Sequence, residues 1–185
     1  QINVADMFTR LLYSIIVTGL APYSFYPLAD NGDRLPSHYD GLPVDAVAAS
    51  VVGVAGQAHQ GYRAFNINNY HDDGLSLDSF VGAIQSAGYS VTLLDDYSQW
   101  YTRFKDKLTT LPEESKRHSA LEILGAFETP NQLGTDQVVD CDNFKQLAGG
   151  LFEDGLPHLD ESFIHKCLAD MRYLGLIEEP ASCKQ

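Results

Sequence analysis

Tyr101 and Lys105, in the run "YTRFK", have the Y-x-x-x-K spacing of a proton-donating pair. Four residues apart on a helix they share a face, and a lysine so placed lowers the pKa of a tyrosine that must protonate a carbonyl oxygen. A packing role outweighs this one. Tyr101 belongs to an apolar stripe with Trp100 and Phe104, Lys105 can reach solvent at its edge, and no strand and glycine-rich turn precede the pair to hold a cofactor. The run "GVAGQAHQG", Gly53 to Gly61, is glycine-rich but follows a helical pattern, whereas a dinucleotide fingerprint follows a strand and opens a helix. Gly53 reads as a packing site and Gly56 as a helix end. In "NNYHDDGLSLDSF" a histidine stands beside two aspartates, His71, Asp72 and Asp73. A metal there would need consecutive side chains to converge, and along an extended chain they diverge. The histidines, His38, His59, His71, His118, His158 and His165, show no H-x-x-x-H or H-E-x-x-H spacing. The local reading is architectural: Gly74 takes a left-handed backbone angle, Asp72 and Asp73 bond turn amides, and Ser76 caps the next helix. There is no Ser-His-Asp elbow and no C-x-x-C. Neither a catalytic group nor a metal ligand is assigned in this chain.

Helical periodicity supplies most of the elements that would position these residues. The first helix carries Val4, Met7, Phe8, Leu11, Leu12, Ile15 and Ile16, with Asn3 as cap, Asp6 in its first turn, and Gly19 and Pro22 as its end. A second starts at Pro43 with Val44, Val47, Ala48, Val51 and Ala55 on one side. A third follows Ser76, with Leu77, Phe80, Val81 and Ile84 inward and Gly88 as its stop. Asp96 and Gln99 form a capping-box pattern that opens a fourth, striped by Tyr97, Trp100, Tyr101, Phe104 and Leu108. Residues 115–127 and 141–148 read as shorter helices. Asp160 caps a last helix, with Phe163, Ile164, Cys167, Leu168, Met171 and Leu174 as its stripe and Gly175 as its stop. "YRAFNINN" and "YSVTLL" read as short strands, and 128–140 as a loose linker. Two such strands make no stable sheet alone, so they would extend a sheet contributed by preceding sequence. The opening "QINVADMF", already inside a helical pattern, points the same way: a lobe cut from a longer polypeptide.

Composition narrows the class. The chain has 185 residues, 44% of them hydrophobic, and a net charge of −13 from 25 acidic and 12 basic residues. It can bury a core, and it would be repelled by nucleic acid and by anionic lipid. No stretch approaches the roughly 20 apolar residues that span a bilayer. Cys141, Cys167 and Cys183, odd in number and without metal spacing, read as reduced thiols of a cytoplasmic protein.

Six segments, "NVADMFTRLL", "TGLAPYSFY", "HYDGLPVD", "HDDGLSLDSFV", "DDYSQWYTRF" and "GLPHLDESFIHK", with "LGLI" near the end, resemble in order and spacing one family. This is the C-terminal thioester reductase domain of carboxylic acid reductases, related to the terminal reductases of non-ribosomal peptide synthetases. The resemblance covers most of the chain and is weakest over 128–150. It implies a mainly helical α/β fragment with two or three short strands, spanning 1–185: the C-terminal substrate-binding lobe of an extended Rossmann-type reductase. The Rossmann half that binds NADPH would occupy roughly 250 residues preceding Gln1, and the family's glycine-rich turn and catalytic Tyr/Lys pair would lie there. The implied reaction reduces an acyl thioester, carried on the phosphopantetheine of an acyl carrier domain, to an aldehyde. The implied roles here are Gln1 and Asn3 near the nicotinamide end; Met7, Phe8 and Leu11 as an acyl-pocket wall, or equally as core; Tyr26, His38 and Tyr39 on loops at the pantetheine entrance; and His71 in a pocket-shaping loop. Arg10, Arg34 and Arg63 are the candidates for docking an acidic carrier domain. A stand-alone helical interaction module and a fragment of a sugar-nucleotide epimerase or dehydratase are the other classes. The second would need more arginine for a diphosphate than the 12 basic residues here supply.

Overall fold

The computed structural model describes residues 2–57, 61–71, 74–131 and 140–180. The chain forms two compact units, one from Gln1–Leu35, Ser76–Gln132 and Asp160–Gln185, the other from Pro36–Leu75 and Leu133–Leu159.

The first unit is a helical cluster around one strand pair. Helix α1 (Met7–Thr18) leads directly through Gly19, at φ 64°, into strand β1 (Leu20–Pro22). The positive φ is open to glycine and lets the chain reverse within one residue. The helix is capped by Asp6, whose carboxylate accepts the Thr9 amide at 2.7 Å. That corrects the expected cap at Asn3, whose side chain accepts the Ala5 amide instead. The first turn forms nearer the apolar run because Asp6, three residues before Thr9, has the spacing a cap needs. Helix α3 (Leu77–Ser86) carries a full capping box between Ser76 and Ser79 and leads into strand β2 (Thr92–Leu94), which pairs in parallel with β1, Leu20 opposite Thr92. Helix α4 (Tyr97–Thr109) follows at once. Helix α5 (Glu113–His118), a 3₁₀ helix (Ala120–Phe127) and helix α7 (Glu161–Tyr173) complete the unit. Trp100, Phe104 and Leu108 on α4 are fully buried, as are Phe80 and Ile84 on α3 and Ile164, Leu168 and Met171 on α7. Each contributes roughly 1.5–3 kcal/mol of burial. Phe25, just past β1, meets Trp100 edge to face at 5.4 Å.

In the second unit helix α2 (Val44–Ala55) packs on helix α6 (Asp142–Leu151). Gly53 is the contact point. A Cβ there would lie 2.3 Å from the Leu151 side chain, so the packing role read from sequence holds. Cys141, Phe144, Ala148 and Leu156 form the core, with Leu42, Ile67, Tyr70 and Phe152 against it.

Two expectations fail in this unit. The valine side of α2 faces outward, with Val44 75% and Val51 51% exposed, while Ala46 and Ser50 are buried. A close helix contact admits only small side chains, so Ala46, Ser50 and Gly53 form the inner stripe and the hydrophobic periodicity misleads. The run 62–69 is no strand. Its asparagines are poor strand formers, and its chain is held by carboxamides instead: Asn66 donates to the Asp140 carbonyl at 2.6 Å, and Asn143 to that of Ala64 at 3.3 Å. The strand expected in "YSVTLL" is present as β2, and its partner β1 was not anticipated. Most of the expected linker, 132–139, lies outside the described residues.

Candidate functional site

Three of the residues singled out by sequence meet in the second unit, around a residue that was not. Asn69 is fully buried. Its carboxamide donates to the Tyr39 carbonyl at 3.2 Å and accepts the His71 amide at 3.1 Å, while its own amide donates to the Asp40 carbonyl at 2.9 Å. Its carbonyl lies 2.7 Å from His38 Nε2, which must donate, since a carbonyl only accepts. Asp40 lies 3.3 Å from the same ring nitrogen. One buried asparagine thus ties together the two loops that carry His38, Tyr39 and His71. A buried hydrogen-bonding side chain is costly unless its groups are paired, and those of Asn69 are paired, which makes it a fixed point rather than a filler.

His71 is committed in the same way. Its Nε2 donates to the Leu156 carbonyl at 2.8 Å, and its ring stacks on His158 with centroids 3.5 Å apart. Tyr70 beside it packs edge to face on Phe144 at 5.9 Å. The loop therefore presents a braced aromatic cluster. Gly74 adopts φ 70° as expected. Asp72 and Asp73 lie outside the described residues, as do His59 and Cys183. Among the described residues no group of three His, Cys, Asp or Glu side chains is arranged to hold a metal.

The other candidates belong to the first unit. Met7 is 56% exposed, Phe8 is half-buried between Phe80 at 5.3 Å and Phe163 at 6.3 Å, and Leu11 is core. Tyr26 is buried, and its hydroxyl accepts the Leu77 amide at the start of α3 at 3.2 Å. Asn3 is exposed, and Gln1 lies outside the described residues. Asp78, a buried carboxylate that the sequence reading passed over, accepts the Phe25 amide at 2.7 Å and faces Arg34 at 3.7 Å. Arg34 also donates to the Tyr23 carbonyl and lies over the Tyr23 ring. Arg10 donates to the Ser119 carbonyl and pairs with Glu122. Both arginines are thus engaged within the fold; Arg63, in the second unit, is exposed.

Several side chains resemble catalytic groups. Tyr101 is half-buried and Lys105 exposed on α4. The nearby Tyr97 phenol is pushed well above its usual range by burial and donates to the Phe127 carbonyl at 3.0 Å. Ser86, Glu161 and His165 cluster on α3 and α7, but Ser86 and Glu161 both contact His165 at Nε2, so the acid cannot orient the ring from its far side as a relay requires. Burial raises the Cys167 thiol to about 11, which keeps it protonated and unreactive. The turn from β2 into α4 is Asp95–Asp96, without glycine and with two carboxylates where a pyrophosphate would need bare amides.

Comparison with known proteins supplies what the geometry does not. No protein-family model matches the chain. Over 182 residues it is 42% identical to a carboxylic acid reductase of Segniliparus rugosus, covering 96% of this chain and 15% of that protein. It is 36% identical over 180 residues to a carboxylic acid reductase of Mycobacterium marinum, with the same coverage. The crystal structure of a non-ribosomal peptide synthetase reductase domain from Mycobacterium tuberculosis superposes with a TM-score of 0.85 at 32% identity, covering 96% of this chain and 43% of that one. The chain therefore spans about 15% of the length of the curated relatives it matches. Its fold is that of the C-terminal part of a reductase domain.

Proposed function

Because the chain is a relative of the carboxylic acid reductases and of the reductase domains of non-ribosomal peptide synthetases, we propose that it is the substrate-binding lobe of an NADPH-dependent thioester reductase. Its substrate is an acyl group carried as a thioester on phosphopantetheine, and the products are an aldehyde and the free carrier thiol. The observation that carries the reading is the end-to-end match: 96% of the chain aligns with less than half of a reductase domain, 43%. The higher identity, 42%, to carboxylic acid reductases favours that class over a synthetase terminal reductase.

In this reading NADPH, bound by a Rossmann half elsewhere in the polypeptide, supplies the hydride. This chain's part is to bind and exclude water. Within the second unit, the loops fixed by Asn69 offer His38, Tyr39 and His71 to the pantetheine arm. The reducing interior of the cell suits its buried free thiols, Cys141 and Cys167. The test is a comparison of two proteins. Titrated with NADPH by calorimetry, the 185-residue chain is expected to show no binding. The polypeptide encoded by the complete reading frame oxidises NADPH when given an acyl-phosphopantetheinyl carrier protein, and trapping detects an aldehyde. Micromolar NADPH binding by the chain alone, or no thioester-dependent oxidation by the longer polypeptide, refutes the reading.

A further inference from the structure

The second unit contains a small polar cavity of about 140 Å³, lined by Gln57, Arg63, Phe65, Asn143, Gln146 and Leu147. The composition of its wall is unusual for so acidic a chain, which carries a net charge of −13. Arg10, Arg34 and Arg172 each pair with a carboxylate, at Glu122, Asp78 and Glu179. Among the described residues Arg63 pairs with none, and the carboxamides of Gln57 and Gln146 make no hydrogen bond. The cavity is thus ringed by uncommitted donors, with one cation among them. Asn143 is steadied by its bond to the Ala64 carbonyl at 3.3 Å, which fixes the start of α6 against the segment that carries Arg63. An arginine fork with neighbouring amides is the donor set that matches a tetrahedral oxyanion.

We propose that this cavity binds a phosphate group, with Arg63 as its charged anchor and Gln57 and Gln146 as the neutral donors. The proposal does not depend on the reductase reading. The phosphate can come from a free anion or from the phosphate ester of a pantetheine arm, and the two are separable by measurement. Asp142, on the first turn of α6, opposes anion binding, so the affinity for a bare phosphate is weak, roughly millimolar.

The experiment is a calorimetric titration of the chain with inorganic phosphate and, separately, with free phosphopantetheine, at constant ionic strength set by chloride. Both are expected to bind saturably. Arg63→Gln weakens both by about 10- to 100-fold, the loss expected for one charge-assisted contact. Arg103→Gln, an exposed arginine on α4, changes the net charge equally and leaves affinity within about twofold. Tighter binding of phosphopantetheine identifies the tethered arm as the source; equal affinities identify a free anion. Arg63 is exposed, so its variant keeps the far-ultraviolet spectrum of the parent. No saturable binding of either probe overturns the proposal. So does an affinity unchanged in Arg63→Gln, or one reduced as much in Arg103→Gln.

Discussion

Replacing Asn69 tests whether one buried carboxamide holds the loops of the candidate site. Asn69→Ala removes a donor to the Tyr39 carbonyl and an acceptor for the His71 amide. Each lost bond costs about 0.5–1.5 kcal/mol, and a group left buried without water costs about 1–3 kcal/mol more. Both bonds are part-buried, so the lower ends apply and the sum is about 2–4 kcal/mol. Asn69→Asp is worse at neutral pH. It keeps the acceptor for His71 but turns a carboxylate oxygen toward the Tyr39 carbonyl at a site with no exposure. An uncompensated buried charge there costs about 3–5 kcal/mol and is relieved as the pH falls and the group protonates. Urea unfolding followed by far-ultraviolet circular dichroism reads the loss. Fluorescence of the single tryptophan, Trp100, reports the first unit separately. Hydrogen exchange at the His71 amide reports the loop itself. A stability for Asn69→Ala within about 0.5 kcal/mol of the parent, with the His71 amide still protected, refutes the bracing role.

Three further outcomes follow from the geometry. Among the described residues an added Cβ at Gly74 meets nothing within 4 Å, so substitutions report mainly backbone strain: thermal unfolding should show Gly74→Ala losing about 1 kcal/mol, Gly74→Val about twice that and Gly74→Asn less than either; a reversed order contradicts the left-handed assignment. Asp78→Ala should cost about 2–4 kcal/mol by urea unfolding monitored at Trp100, because it orphans the Phe25 amide, whereas Asp78→Asn keeps an acceptor and costs about 1 kcal/mol; Arg34, 38% exposed and 3.7 Å away, adds little to either. Asp96 and Asp160 are held below the ordinary aspartate range, first by the Ser98 and Ser162 hydroxyls and then by the Gln99 and Phe163 amides. A pKa lower in the folded state means the caps act fully above the unfolded value of about 3.9 and fade as pH falls through the folded one; amide protection factors, corrected for the intrinsic pH dependence of exchange, should fall below that pH in the first turns of α4 and α7 of the parent and stay constant in Asp96→Asn and Asp160→Asn, and protonation at or above 3.9 would contradict the assignment.

Features that depend on a few consecutive residues were legible in the sequence, because their physics is local. Asp160 caps α7 by reaching the Phe163 amide three residues on, and Asp96 caps α4 through that of Gln99. Gln99 reaches back to the Asp96 side chain rather than its backbone, so the expected box closes in a variant form. Gly53 as a packing point and Gly74 as a left-handed turn were also readable, since glycine in those positions answers a steric demand that few other residues meet.

What the tertiary structure alone decided involves partners far apart in the chain. Asp78 lies 53 residues from the amide it holds, and His71 lies 85 from the carbonyl it meets. Nothing in the local pattern distinguishes such a carboxylate or ring from a solvated one, so Asp78 and Asn69 were passed over. The valines of α2 show the converse: a periodic apolar face was placed inward by hydrophobicity, but Ala46, Ser50 and Gly53 were small enough to let α6 approach, and close packing prevailed over the larger apolar area. The run 62–69 kept an extended shape without a ladder, because strand pairing needs a partner edge that folding brings or does not. The sequence alone determined the helices, their caps and the family resemblance, which all rest on residue order. Which side chains meet across the fold depended on distance in space, and only packing sets that.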